Sequence, residues 1–218
     1  MAITYNRVAG QSVERLAALS DGIFAVAMTL LVLDLRVPVV EAVRSERDLW
    51  CALVALAPRL LMYLMSFLTL GIFWVGQQTH LNHLARSDRR FSWIHIAFLC
   101  AVTLMPFSTT LLAAFPRYRL ALLLYWFNIF LLGAILYAGL NWSLQANLVK
   151  PDLTPEVAAA FSRRIITGQS LYAFGAALCI FNTYWSIAFI VLVQLNYAVG
   201  FADTPRVPRR DRPAPARR

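Results

Sequence analysis

Six stretches of the chain are almost uninterruptedly apolar: roughly residues 16–36, 58–79, 92–113, 119–140, 163–181 and 184–202. Each is close to the ~20 residues that a helix needs to cross a bilayer core. The pattern predicts an all-α polytopic membrane protein with six transmembrane helices per subunit. The connections between the runs are short and polar. "HLNHLARSDRR" and "FPRYR" are tight loops, "NLVKPDLTPEVAAAFSRR" is the longest link with a helix start at Thr154-Pro155-Glu156, and "FNTYW" is a turn between the last two runs. Between the first two runs, the stretch around Trp50 reads as a short interfacial helix, and Pro58 suits the first turn of the next, where a missing N–H costs nothing. The first run continues unbroken to Leu35, too long for the core of a signal peptide, and is expected to be a helix of the mature protein. From Asp203 onward the chain is rich in Pro and Arg without apolar periodicity, the composition of a disordered tail. The organisation is thus a lead-in (1–14), one six-helix domain (15–202) and a tail (203–218).

The first run, "RLAALSDGIFAVAMTLLVLDL", is the most informative. At 100° per residue with Val26 at zero, Leu19, Ile23, Leu30, Leu33 and Val37 fall within about 60° of it. Their spacing of 4-3-4-3-4 makes a narrow seam of branched aliphatics, as in helices that meet around an axis. Thr29 lies at the seam's edge, about 60° away, and Asp21 at about 220°, on the other side. A charge inside a span costs at least ~2.5–3.5 kcal/mol at the bilayer centre unless it is paired or hydrated. Asp21 is therefore expected to be buried against neighbouring helices. The seam itself suits either an ordinary bundle core or the wall of an oligomeric pore.

Composition agrees with a membrane protein: 60% of residues are hydrophobic and the mean hydropathy is +0.61. The net charge of +9 reports topology rather than a nucleic-acid partner. With the N-terminus in the cytoplasm, 14 of the 20 basic residues lie on the inner side, leaving only Arg36, Arg44, Arg47, Arg59, Arg117 and Arg119 outside. This is the positive-inside asymmetry of a cell-membrane protein with both termini cytoplasmic, and the basic tail would also meet anionic membrane lipids. Cys51, Cys100 and Cys179 are scattered and read as packing residues. His80 and His83 have a spacing that can hold a metal on a helix, but with no Cys or carboxylate nearby in sequence except Asp88 they read as interfacial histidines. Asp88 reads as a solvated partner of the loop arginines, and the tryptophans as interface belts. Asn128, Gln169, Asn182, Gln194 and Asn196 can bond across helices. No paired carboxylates, Ser-His-Asp string or Walker motif supports an enzyme, and neither a metal nor a cofactor is called for.

The string from Arg15 to Asp34 resembles the signature of the transmembrane-protein-175 family of potassium channels, R-x-x-x-F-S-D-G-x-x-A-I followed by an apolar stretch ending in L-D. Arg15, Ser20, Asp21, Gly22, Ala25 and Leu33-Asp34 match. "FWVGQQTHL" and "DRRFSWIHIAFLCAVTLMPFSTTLL" resemble the family's second-helix end and third helix, so the likeness covers about residues 15–112. Leu19, Val26, the pair Gln77-Gln78 and His95 depart from the residues most common there. The resemblance implies a homotetramer in which the first helix of each subunit lines one central pore, with no TVGYG-type filter. Carried over by position, Val26, Leu30 and Leu33 would form apolar rings and Thr29 a hydroxyl ring, while Arg15, Ser20, Asp21 and Gln77 would belong to the polar network that holds the pore helix. The implied function is a leak channel that conducts potassium ions with modest selectivity. A proton-coupled secondary transporter using Asp21 is the alternative, although the inverted repeats and broken helices of such carriers are not evident. A non-conducting scaffold is a third.

Overall fold

Ser12 accepts a hydrogen bond from the Arg15 backbone N–H at 3.2 Å and so caps α1, Val13–Leu31, which tightens into a 3-10 turn over Val32–Asp34. The computed structural model describes residues 12–39 and 43–200. Nearly all of them are helical: α2 Glu46–Ala55, α3 Ala57–Asn82, α4 Arg89–Thr103, α5 Met105–Ala114, α6 Arg119–Gln145, α7 Pro155–Ala177 and α8 Thr183–Gly200 follow α1 in order. Helical segments outnumber the six predicted spans for two reasons. The stretch around Trp50 forms α2 with Ser45 as its cap, and the third apolar run breaks at Leu104 into α4 and α5. The predicted lead-in overlaps α1 by two residues, and its remainder up to residue 11 and the predicted tail lie outside the described residues.

Among the described residues, four segments are long and apolar enough to cross a membrane by length and composition: Val13–Asp34, Ala57–Asn82, Arg89–Ala114 and Arg119–Gln145. α7 carries Arg163, Arg164 and Gln169, which dilute its hydropathy, and the apolar part of α8 is shorter. The start signals hold where local chemistry dictates them. Pro58 occupies the first turn of α3, and Thr154 accepts from Val157 N to open α7 at Pro155. Asn182 Oδ1 accepts from Tyr184 N in the turn before α8.

The break at Leu104 has a specific repair. Pro106 supplies no N–H and its ring disrupts the carbonyl four residues earlier. Asn128 of α6 reaches into the gap, where its Nδ2 donates to Ala101 O at 3.0 Å and its Oδ1 accepts from Met105 N at 3.1 Å. A further buried polar chain ties four helices. Thr109 of α5 donates to Ser66 of α3 at 2.7 Å, Ser66 donates to the fully buried Tyr125 hydroxyl of α6 at 3.2 Å, and Gln194 of α8 donates to Thr69 of α3 at 2.7 Å. In a bilayer such groups have no water to bond, so their partners come from the protein itself. Around these bonds lies the apolar core, which includes Phe24, Leu31, Leu70, Phe98, Leu112 and Ile129.

At one end of the bundle the α3–α4 and α6–α7 connections are stitched together. Leu84 and Val149 form an isolated antiparallel bridge, Ala85 N donates to Leu148 O, and Lys150 N donates to His83 O. Lys150 Nζ adds a bond to Asn82 O at 2.8 Å. Asn147 takes a positive φ of 51° just after α6, a conformation that asparagine tolerates. This end gathers Arg86, Arg89, Arg90, Lys150, Arg163 and Arg164.

Candidate functional site

α1 packs against the rest of the chain with a narrow face. Ser20, Phe24, Ala27 and Leu31 are essentially inaccessible. The aliphatic seam points away from them: Val26 is 58% exposed, Leu30 46% and Leu33 69%. Val26, Leu30 and Leu33 are therefore not part of the chain's own core, contrary to the bundle-core reading of the seam, while Ile23 packs against that core. Leu19, Gly22, Ile23, Val26 and Leu30 instead line a groove of about 420 Å³, with Thr103 of α4 on its far wall. Thr29 is exposed, and its hydroxyl donates to the Ala25 and Val26 carbonyls of its own helix at 3.0 and 2.9 Å.

Asp21 corrects the expectation of a buried carboxylate. The buried face of α1 spans only about 60°, centred about 130° from Val26, and Asp21 lies outside it. The residue is exposed, and its Oδ1 accepts from Trp74 Nε1 at 2.8 Å and from Gln78 Nε2 of α3. Trp74 is thus a hydrogen-bond donor as well as a ring at the surface. A carboxylate turned to hydrocarbon is disfavoured, so this side of α1 is suited to water or another protein surface rather than to lipid.

Ser20 is the hub of the bundle side. Its Oγ donates to Leu16 O at 2.8 Å and lies 2.7 Å from His95 Nε2 of α4, while Gln77 Nε2 of α3 donates to it at 3.0 Å. With the hydroxyl proton on Leu16 O, both remaining lone pairs are filled, one by Gln77 and one by a His95 that carries its proton on Nε2. One serine thereby joins α1, α3 and α4. Of the predicted network, Ser20 and Gln77 are in direct contact and Asp21 is tied to the same helix α3 one turn away. Arg15 is exposed and its side chain does not join them among the described residues. Sequence reasoning missed His95 as the third partner, and the Trp74–Gln78 pair as the grip on Asp21. The second had a signal, because residues four apart share a helix face.

Three other readings change. His80 is a buried packing residue rather than an exposed one: its Nε2 lies 3.1 Å from Ser143 Oγ, and Phe91 meets its ring edge-on. Asp88 is a helix cap rather than a solvated loop charge. It accepts from Phe91 N at 2.7 Å and from Trp142 Nε1 at 3.1–3.2 Å, and the Arg90 guanidinium lies 4.0 Å above that indole. Of the cysteines only Cys179 packs in the core; Cys51 and Cys100 are exposed.

The arrangement has recognisable relatives. The sequence profile of a family described as endosomal/lysosomal potassium channel TMEM175 matches residues 15–106. A protein described as a potassium channel from Streptomyces collinus is 32% identical over 93% of this chain and 98% of its own length. An endosomal/lysosomal proton channel TMEM175 from Rattus norvegicus is 24% identical over 85% of this chain, which spans 36% of that longer protein. The crystal structure of a lysosomal potassium-selective channel TMEM175 homolog from Chamaesiphon minutus superposes with a TM-score of 0.75 at 26% identity, covering 86% of this chain and 97% of that one.

Proposed function

Because this chain belongs to the TMEM175 channel family, we propose that it is a modestly potassium-selective leak channel of the cell membrane. In this reading four copies assemble, each subunit crosses the bilayer six times within residues 15–202, and both termini, including the 203–218 tail, face the cytoplasm. The observation that carries it is the outward turn of α1. The seam of Val26, Leu30 and Leu33, with Thr29 beside it, is left uncovered by the helix's own subunit, while the reverse face is locked by Ser20. Around an axis the seam would give successive apolar rings with a hydroxyl ring between them. An apolar constriction can gate by dewetting or demand partial loss of an ion's water shell. Potassium gives up that shell more readily than sodium, so discrimination without carbonyl ligands is real but small.

The experiment is flux through liposomes holding the purified protein, under potassium and then sodium gradients, for wild type, Val26→Asn and Leu30→Asn. Potassium flux above sodium is expected, with higher flux and a smaller gap in both variants. Absence of flux for either ion would refute the channel reading. Saturable flux that requires a proton gradient and vanishes in Asp21→Asn would replace it with the proton-coupled carrier.

A further inference from the structure

Away from α1, a second cavity lies inside the subunit, between α3, α6, α7 and α8, with a volume of about 220 Å³. An apolar cavity of ~150 Å³ already takes up benzene, so this one has room for several methylene groups. Its walls are largely aliphatic and aromatic, among them Ile72, Gly76, Leu136 and Phe161. At the end of the bundle where the basic loops are stitched, Phe161, Arg164 and Tyr197 also border a shallower depression of about 480 Å³, which adds Arg163 and Thr167. The Arg164 guanidinium lies 5.5 Å over the Tyr197 ring. The cavity thus runs from an apolar interior to a mouth with two exposed, adjacent cationic side chains.

A cavity with apolar walls offers few partners to a string of waters, whereas a hydrocarbon chain matches such walls.

We propose that this cavity binds an anionic amphiphile, its acidic head held by Arg163 and Arg164 and its hydrocarbon chain inserted along Gly76 and Leu136 toward Tyr172. Basic pockets between transmembrane helices suit acidic lipid heads, and arginine matches carboxylate and phosphate oxygens in a two-pronged fashion. The acidic head could belong to a free long-chain fatty acid or to an acidic phospholipid of the surrounding bilayer. The proposal does not depend on ion conduction, because it concerns the interior of one subunit.

Native mass spectrometry of the full-length oligomer in detergent tests it, with oleate, phosphatidylglycerol and, as neutral controls, oleyl alcohol and phosphatidylcholine. The wild type is expected to retain the acidic member of a pair about tenfold more than its neutral counterpart, the effect of one charge-assisted bond lost. Retention of oleate alone identifies the fatty acid, and retention of phosphatidylglycerol identifies the membrane lipid. Arg163→Gln with Arg164→Gln should erase the acidic preference. Gly76→Leu should abolish retention by filling the cavity, since the first carbon added there meets nothing closer than Leu136 Cδ2 at 3.9 Å; Leu136→Trp is the second filling variant. Equal retention of acidic and neutral partners overturns the proposal. So does an acidic preference that survives both filling variants, because it would then arise on the outer surface.

Discussion

Ser20→Ala removes three atoms' worth of contacts from a site with no access to solvent. The lost hydroxyl accepts from Gln77 at 3.0 Å and pairs with His95 at 2.7 Å, and both partners are themselves buried. Gln77 is left with neither amide atom bonded, since its Oε1 already lacks a partner. Interhelical hydrogen bonds in bilayers contribute about 0.6–2 kcal/mol each, and an orphaned buried group in a soluble protein costs about 1–3 kcal/mol. Two such losses give ~2 kcal/mol at the lower end, a change of about 30-fold in the folded ratio. The assay is detergent-driven unfolding of the purified protein followed by tryptophan fluorescence, comparing midpoints at equal slope. Ser20→Ala with Gln77→Leu should recover part of the loss, because it removes one orphaned donor and the acceptor that was unpaired from the start. Wild-type stability for Ser20→Ala, or a double variant no better than the single, would refute the view that this serine joins three helices.

Asp21→Ala cuts the tie to Trp74 and Gln78 and should lower the yield of assembled oligomer on size-exclusion chromatography, while each assembled particle still conducts; intact assembly with abolished flux would place Asp21 in the ion path instead. Gly133→Ala should cost about 1–3 kcal/mol, since the new methyl would collide with the Gln169 side chain, and Gln169→Ala in the same chain should restore much of the unfolding midpoint. Asp88→Ala removes both the cap of α4 and the acceptor of Trp142; a loss of about 1 kcal/mol for the cap alone should appear as a lower thermal midpoint, with Asp88→Asn retaining most of it.

The apolar runs marked all the long helices, because a bilayer-length stretch without charges leaves few alternatives. They overshot or undershot at the ends, where backbone hydrogen bonding carries a helix past its apolar part, as α6 does from Leu140 to Gln145. Local chemistry was equally legible at Pro58 and Thr154, which act as their types dictate, whereas Asn182, expected to bond across helices, accepts from Tyr184 N in its own turn. Partner choice was not. His95, 75 residues from Ser20, and Trp142, 54 residues from Asp88, meet them only through the packing of separate helices. The seam on α1 was visible in its spacing, but whether it faced inward depended on Ser20, Phe24, Ala27 and Leu31 winning the core, a contest decided by the surfaces of α3 and α4.

Thr29 has a single hydroxyl proton, and that proton is occupied by the carbonyls of Ala25 and Val26. What the exposed oxygen presents outward is therefore lone pairs alone. A hydroxyl free to rotate could solvate either sign of ion, but this one offers electron density to a cation and no hydrogen to chloride. If α1 lines an aqueous path, Thr29 favours cations over anions there without placing any formal charge, and it does so with an atom whose orientation is set by the helix that carries it.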